Sequence, residues 1–99
     1  KLVVMYTHPE NPEEWDQHYL GVHMPLATKM PGLDRTETGR VATALDGGDQ
    51  TYYRITTLYF ADDAALGSAF GSEEGQATAA DYQGMAPAGS RMFIVNEDA

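Results

Sequence analysis

The sequence contains no cysteine and only six basic residues, and these two shortages exclude several classes of function. Without cysteine the chain can form neither a disulfide framework nor a thiolate metal site, and it has no thiol nucleophile. Fifteen acidic residues give a formal charge of −9 at pH 7. Because such a surface repels phosphate backbones and anionic lipids, we expect no nucleic-acid partner and no membrane partner.

Long apolar runs and familiar catalytic motifs are also missing. No stretch approaches the roughly 18 apolar residues that a membrane-spanning helix needs, and the first five residues are too few for a signal peptide, so a cytoplasmic location is expected. The chain lacks a glycine-rich phosphate loop, a Gly-x-Ser-x-Gly elbow and a His-Glu-x-x-His motif. With 99 residues it is expected to form one domain, 1–99, whose small core would gain from a second subunit.

The first half of the sequence predicts a strand, a helix and a hairpin. Residues 2–7 form a compact apolar run typical of a buried strand, and Asn11 is a suitable N-cap for a helix that begins at Pro12. Pro25 is expected to end or kink that helix near residues 23–24. Residues 33–45 and 51–60 flank a turn in which both Gly47 and Gly48 are expected to supply positive φ. The second arm is expected to be a central strand covered on both faces.

The second half predicts a broken helix and a final strand. Asp62 and Ser72 are suitable N-caps for helices over residues 63–70 and 73–82, and residues 91–95 read as a strand. The predicted order is therefore β-α-β-β-α-β. This is the α+β, ferredoxin-like arrangement, an antiparallel sheet with helices on one face.

The histidines of the first helix are the candidates for chemistry. His18 and His23 are five residues apart, which on a regular α-helix separates them by about 140°, so we expect no shared metal ion. Tyr19 and His23 are four apart and can touch, on an apolar face that also carries Trp15 and Val22. An imidazole at this position can act as a general acid or base. Alternatively, His23 is a core histidine that bonds a backbone carbonyl.

Other polar and aromatic residues admit two interpretations each. His8 follows the first strand, near Tyr6. Its loop can lie over the mouth of a cavity beside the apolar face of the first helix, or His8 is simply a surface residue. Aromatic residues such as Tyr59 either line an apolar pocket or fill the core. Arg40 and Arg54 are expected to face each other across the hairpin, where they would form a paired anion contact or a plain strand salt bridge with Glu37.

The segment Tyr19-Leu20-Gly21-Val22-His23-Met24-Pro25-Leu26 resembles the EthD family, whose members carry a Tyr followed by His-x-Pro-Leu in the first helix. The opening strand with Tyr6-Thr7-His8-Pro9, the aromatic Trp15 and the Met30-Pro31-Gly32 turn extend this resemblance over nearly the whole chain. It implies a ferredoxin-like protomer whose sheet packs against that of a second subunit in a dimeric α/β barrel. The expected cavity lies between sheet and helices.

The resemblance also implies a range of activities. Related branches include cofactor-free monooxygenases, muconolactone isomerases and polyketide cyclases or dehydratases, and EthD proteins are associated with fuel-ether degradation beside a monooxygenase system. We therefore expect a cofactor-free enzyme of a degradative or secondary-metabolic pathway, acting on a small enolisable or aromatic compound. The alternative is a non-catalytic accessory protein that binds a pathway intermediate for a monooxygenase. His23 and Tyr19 are the expected catalytic residues, and the expected substrate-binding residues are Tyr6, His8, Trp15 and Tyr59.

Overall fold

The computed structural model describes residues 1–98, and its elements follow the predicted order. The strands are β1 (Leu2–Thr7), β2 (Leu33–Arg40), β3 (Tyr52–Phe60) and β4 (Arg91–Ile94). The helices are α1 (Pro12–His18), α2 (Met24–Ala27), α3 (Asp63–Gly71) and α4 (Glu73–Met85), and a π-helical segment, Tyr19–His23, joins α1 to α2. The sheet has the order β2-β3-β1-β4 with every pair antiparallel, which confirms the ferredoxin-like prediction.

The helix starts are fixed by the predicted caps. The side chain of Asn11 accepts a hydrogen bond from the backbone N–H of Glu14 at 3.2 Å, and Asp62 and Ser72 do the same at the starts of α3 and α4. The predicted end of α4 at residue 82 is wrong, because the helix continues to Met85. Met85 packs against the core, and this burial carries the helix past Gly84.

The hairpin differs from its prediction in length. β2 ends at Arg40 rather than at residue 45, and Leu45 is 95% exposed, so no packing supports a longer strand. Of the two glycines in the turn, only Gly47 has a positive φ, 77°. β4 ends at Ile94, one residue earlier than predicted.

One face of the sheet packs on the helices and the other is open. β3 is central, as predicted, and its neighbours are β1 and β2. On the inner face, Val4 and Leu58 are buried against the helices. The expectation that β3 is covered on both faces is wrong for the single chain, because Ile55 on the outer face is 39% exposed. Within residues 1–98 no helix has the length and apolarity needed to cross a membrane.

The π-helical segment changes which residues of the first helix face the core. The backbone N–H of Met24 bonds to the carbonyl of Tyr19, five residues earlier, so this turn holds one residue more than an α-turn. The predicted irregularity before Pro25 therefore takes the form of a wide turn. Val22, predicted to face the core, is 45% exposed, whereas His23 is turned inward and is only 5% exposed.

Candidate active site

A stack of aromatic rings leads from the core to His23. The rings of Trp15 and Tyr19 are nearly parallel, with centroids 5.0 Å apart, and the Tyr19 and His23 rings follow at 5.8 Å. Tyr6 meets Trp15 and Tyr19 edge-on at 5.0 and 5.4 Å. The predicted contact between Tyr19 and His23 is confirmed, and the stack holds the imidazole in one orientation.

The partner of His23 is the carboxylate of Asp81 on α4. His23 Nδ1 lies 2.8 Å from Asp81 Oδ2, so the alternative in which His23 bonds a backbone carbonyl is wrong. A carboxylate can only accept here, so Nδ1 carries a proton, and Nε2 of the neutral ring keeps its lone pair. No group among residues 1–98 bonds Nε2. Burial lowers the pKa of His23, and this effect exceeds the opposing one of the Asp81 hydrogen bond and charge.

The same carboxylate also binds His18. His18 Nε2 lies 2.9 Å from Asp81 Oδ1 and 3.0 Å from Oδ2, so both histidines reach one group. The prediction that the two rings point apart is wrong, because it assumed an α-helix where the chain forms a wider π-turn. In the described part of the chain, no three side chains of metal-ligating type are placed to hold a metal ion.

Asp81 itself was missed by the sequence reasoning. It lies 58 residues from His23 in the chain, and no spacing rule connects the two positions. The available signal was an acidic side chain three positions after Thr78, a core residue on the inward side of α4.

A cavity of about 260 Å³ lies between the sheet and the helices, and His23 forms part of its wall. Most of its lining is apolar, and among residues 1–98 no Asp, Glu, Lys or Arg lines it. Tyr6 also lines it, is 1% exposed, and has no hydrogen-bond partner for its hydroxyl among residues 1–98. Burial raises the pKa of Tyr6 well above the ordinary value, so the hydroxyl keeps its proton and can donate.

A cluster of threonine hydroxyl groups holds the hydroxyl end of Tyr19. The Tyr19 hydroxyl bonds to those of Thr38, at 3.0 Å, and Thr56, and Thr38 and Thr56 bond to each other at 3.0 Å. Arg54 donates from Nη1 to Thr38, and its guanidinium lies 4.8 Å from the centre of the Tyr19 ring. Tyr19 is fully buried with its hydroxyl occupied, so its ring stacks on His23 without lining the cavity.

Arg40 and Arg54 are directly paired across the hairpin, which confirms that prediction. The anion between them is internal: Asp16 Oδ1 lies 3.3 Å from Arg54 Nη2, and Asp16 Oδ2 lies 3.8 Å from Arg40 Nη1. Glu37 pairs instead with Arg35, at 3.5 Å. The paired arginines therefore brace α1 against the sheet.

Three of the four predicted substrate-binding residues lie away from the cavity. Trp15 lies behind Tyr19 and donates from Nε1 to the Met85 carbonyl at 2.9 Å. His8 donates from Nε2 to the Gln50 carbonyl at 2.7 Å and lines an open groove on the far side of the Asp81 carboxylate. Tyr59 lies on the outer face of the sheet, where the Arg35 guanidinium covers its ring at 3.7 Å. Of these four residues, Tyr6 alone lines the cavity.

Known proteins share this fold and sequence pattern. An uncharacterized 11.0 kDa protein from the thcB-thcC intergenic region of Rhodococcus erythropolis is 36% identical over 98 residues, covering 99% of this chain and 94% of that protein. The crystal structure of an ethyl tert-butyl ether D (EthD) family protein from Bacillus halodurans C-125 superposes with a TM-score of 0.91 at 29% identity, covering 98% of this chain and 96% of that one.

Two more distant structures share the fold alone. A dimeric ferredoxin-like protein of unknown function from Jannaschia sp. CCS1 has a TM-score of 0.72 at 17% identity, over 97% of this chain and 96% of that one. SnoaB, a cofactor-independent oxygenase from Streptomyces nogalater, has a TM-score of 0.64 at 14% identity, over 98% and 92%. The EthD domain model matches residues 7–87, which is most of the sequence. The chain therefore belongs to the EthD family.

Proposed function

We propose that this protein is a cofactor-independent acid–base enzyme that acts on a small, uncharged, aromatic or enolisable compound. One observation carries the proposal: an imidazole held by a carboxylate at Nδ1 lines an apolar cavity, and its Nε2 has no partner among residues 1–98. A carboxylate bonded to Nδ1 of a histidine fixes the tautomer and stabilises the imidazolium that forms during proton transfer. Stacking on Tyr19 keeps the ring in that orientation.

The proposed chemistry uses two groups of the cavity wall. Nε2 of His23 accepts a proton from an acidic C–H or O–H of the substrate, and the Asp81 carboxylate stabilises the resulting positive charge. The neutral hydroxyl of Tyr6 donates to the oxygen on which negative charge develops. His23 then returns the proton to the product. A positioned general base of this kind contributes a rate factor of roughly 10² to 10⁴.

The size and lining of the cavity limit the substrate. A volume of about 260 Å³ lies between the cavities of about 150 Å³ that hold benzene and the pockets of roughly 300 Å³ or more that hold drug-sized ligands. A compound with one or two rings fits this space. Because no Lys or Arg of the described residues lines the cavity, a carboxylate on the substrate would lose its hydration without gaining a partner.

Several reaction types begin with this proton removal. The fold neighbour SnoaB is a cofactor-independent oxygenase, and an oxygenase, an isomerase and a dehydratase can all start from a substrate anion in such a cavity. The mostly apolar lining also suits the second candidate function, a non-catalytic accessory protein that binds an intermediate for a monooxygenase. In that case His23 would contribute nothing beyond the shape of the cavity.

We further propose that two copies pair through the outer face of the sheet. Met5 and Ile55 are cross-strand neighbours on this face, as are Val3 and Phe93, and together they form an apolar surface. The partner is a second copy because the single chain leaves this face open and a fold neighbour is dimeric. Such a contact would cover the second face of β3.

The proposed enzyme activity is tested with 1-tetralone, a two-ring aryl ketone, by following deuterium incorporation at its C2 position in D₂O by NMR. His23→Asn keeps an amide N–H for Asp81 but removes the base, so we expect the protein-catalysed exchange to fall by about 100-fold or more. The control His8→Asn changes a histidine outside the cavity and should exchange at the wild-type rate.

The same samples separate the two candidate functions. If 1-tetralone shifts the resonances of cavity residues in the wild type and in His23→Asn alike, while neither protein accelerates exchange, the accessory-protein function replaces the enzyme. If wild type and His23→Asn accelerate exchange equally, His23 is not the base and the proposed mechanism is wrong.

A further inference from the structure

Asp81 stands in the wall between two spaces. On one side, His23 lines the apolar cavity; on the other, Asp81 and His18 line an open groove. The side chain of His18 is 40% exposed, that of Asp81 19% and that of His23 6%. Two hydrogen bonds thus connect a solvent-accessible imidazole with a buried one through a single carboxylate.

We infer that His18 is a positioning residue for His23: it orients the Asp81 carboxylate, and its protonation from the groove lowers the proton affinity of the base in the cavity. The catalytic meaning of this coupling rests on the proposed function, but the coupling itself does not. No regular helix would produce it, because only the wide turn over Tyr19–His23 brings residues five apart to one group.

The carboxylate cannot serve two cations equally well. Its Oδ2 is shared by both rings, and its Oδ1 accepts from His18. When His18 is protonated, part of the Asp81 charge is already compensated, and the positive charge on His18 repels a second one on His23. The side chain of His18 is open to the groove, so solvent reaches its ring, whereas the ring of His23 is buried.

The surroundings of the two rings differ in charge. His18 lies in a groove that also holds two carboxylates, Glu10 and Glu14, and the imidazole of His8. His23 is contacted by Asp81 on α4 and by the Tyr19 ring of its own helix, and shares the cavity with two neutral phenols, Tyr6 of β1 and Tyr82 of α4. Among these neighbours of His23 Asp81 is the one anion, so its charge dominates the electrostatics of the base.

The test compares the titration of His23 in three proteins by NMR of the imidazole Cε1–H. His18→Gln retains an amide N–H for Asp81 but cannot take up a proton. We expect the pKa of His23 to rise by about one unit in this variant, as for two sites that interact appreciably. The control His8→Gln removes a groove histidine that does not contact Asp81, and should leave the His23 titration unchanged.

The wild type provides a second measurement that does not depend on the folding of any variant. If the two sites are coupled, the His23 resonance shows a second inflection at the pH where His18 titrates. An unchanged or lowered pKa of His23 in a folded His18→Gln, or a single inflection in the wild type, would overturn the inference.

Exchange of 1-tetralone then separates this inference from the proposed function. Base catalysis needs neutral His23, so the acid limb of the exchange rate should move to higher pH by about one unit in His18→Gln. If His23→Asn exchanges 1-tetralone as fast as the wild type while the NMR coupling is present, the proposed function fails and the coupling stands. If exchange depends on His23 but its pH limb ignores His18→Gln, the coupling fails and the function stands.

Discussion

Acidification should destabilise the fold through His23, and the structure gives the sign. Burial holds the pKa of folded His23 below 6.5, the value of an ordinary histidine. As the pH falls below about 6.5, the unfolded chain therefore takes up a proton that the folded chain resists. The free energy of unfolding decreases from there until the pH reaches the pKa of folded His23. Above about pH 6.5, this histidine contributes no pH dependence.

The size of this pH dependence is set by the uptake of one proton. The free energy of unfolding can fall by at most about 1.4 kcal/mol for each pH unit within this window. Asp81 reduces the effect because it stabilises the charged ring, whereas burial, the larger cause, produces it. His23→Asn removes the titrating group and retains an N–H for Asp81. On acidification the wild type should therefore lose stability relative to the variant. The free energy of unfolding of the wild type minus that of the variant should fall by up to about 1.4 kcal/mol per pH unit.

Urea unfolding followed by the fluorescence of Trp15 measures this effect. Trp15 is the single tryptophan and is buried, so its emission reports loss of the core. Wild type, His23→Asn and the control His8→Asn are compared from about pH 7.5 to about pH 5, a range that starts above the window and extends into it. If the stability difference between wild type and His23→Asn is constant over this range, folded His23 titrates as an ordinary histidine and the reasoning from burial is wrong.

Three further predictions concern the fold, the cavity and the open sheet face. Gly75→Ala should cost about 3 kcal/mol in urea unfolding, because its Cβ would lie 2.0 Å from a backbone carbonyl oxygen. In contrast, a Cβ added at Gly84 in the same helix would point into open space, so Gly84→Ala should raise the free energy of unfolding by about 0.5 to 1 kcal/mol. Equal changes in stability for the two variants would contradict this packing. Tyr6→Phe should slow 1-tetralone exchange by about 100-fold while leaving the cavity shape intact, and an unchanged rate would remove Tyr6 from the mechanism. Ile55→Asp should give monomers in sedimentation measurements whereas Leu45→Asp on the exposed loop should not, and a monomeric wild type would refute the proposed pairing.

Local rules predicted much of the fold. The caps at Asn11, Asp62 and Ser72 were found because each acts on backbone groups within three residues of itself. The compact apolar run at residues 2–7 likewise predicted β1, and in the structure alternate residues of this strand are buried. Errors occurred at ends, such as the continuation of α4 to Met85, where contacts with distant residues decide how far an element extends.

The site was predicted less completely. The contact between Tyr19 and His23 follows from their spacing, and the resemblance to EthD proteins drew attention to both residues. Of the aromatic candidates, however, Tyr59 lies on the wrong face of the sheet and Trp15 lies behind Tyr19. Aromatic residues are equally suited to a core and to a pocket, so composition alone could not separate these roles.

By itself, then, the sequence determined the family, the order of elements and the candidate imidazole, because these depend on neighbouring residues or on a local motif. The tertiary structure decided what that imidazole can do. In the folded chain a wide turn forms before Pro25 and turns His23 inward, and Asp81, 58 residues further along the chain, bonds to it. Long-range packing sets such contacts, and no local periodicity encodes them.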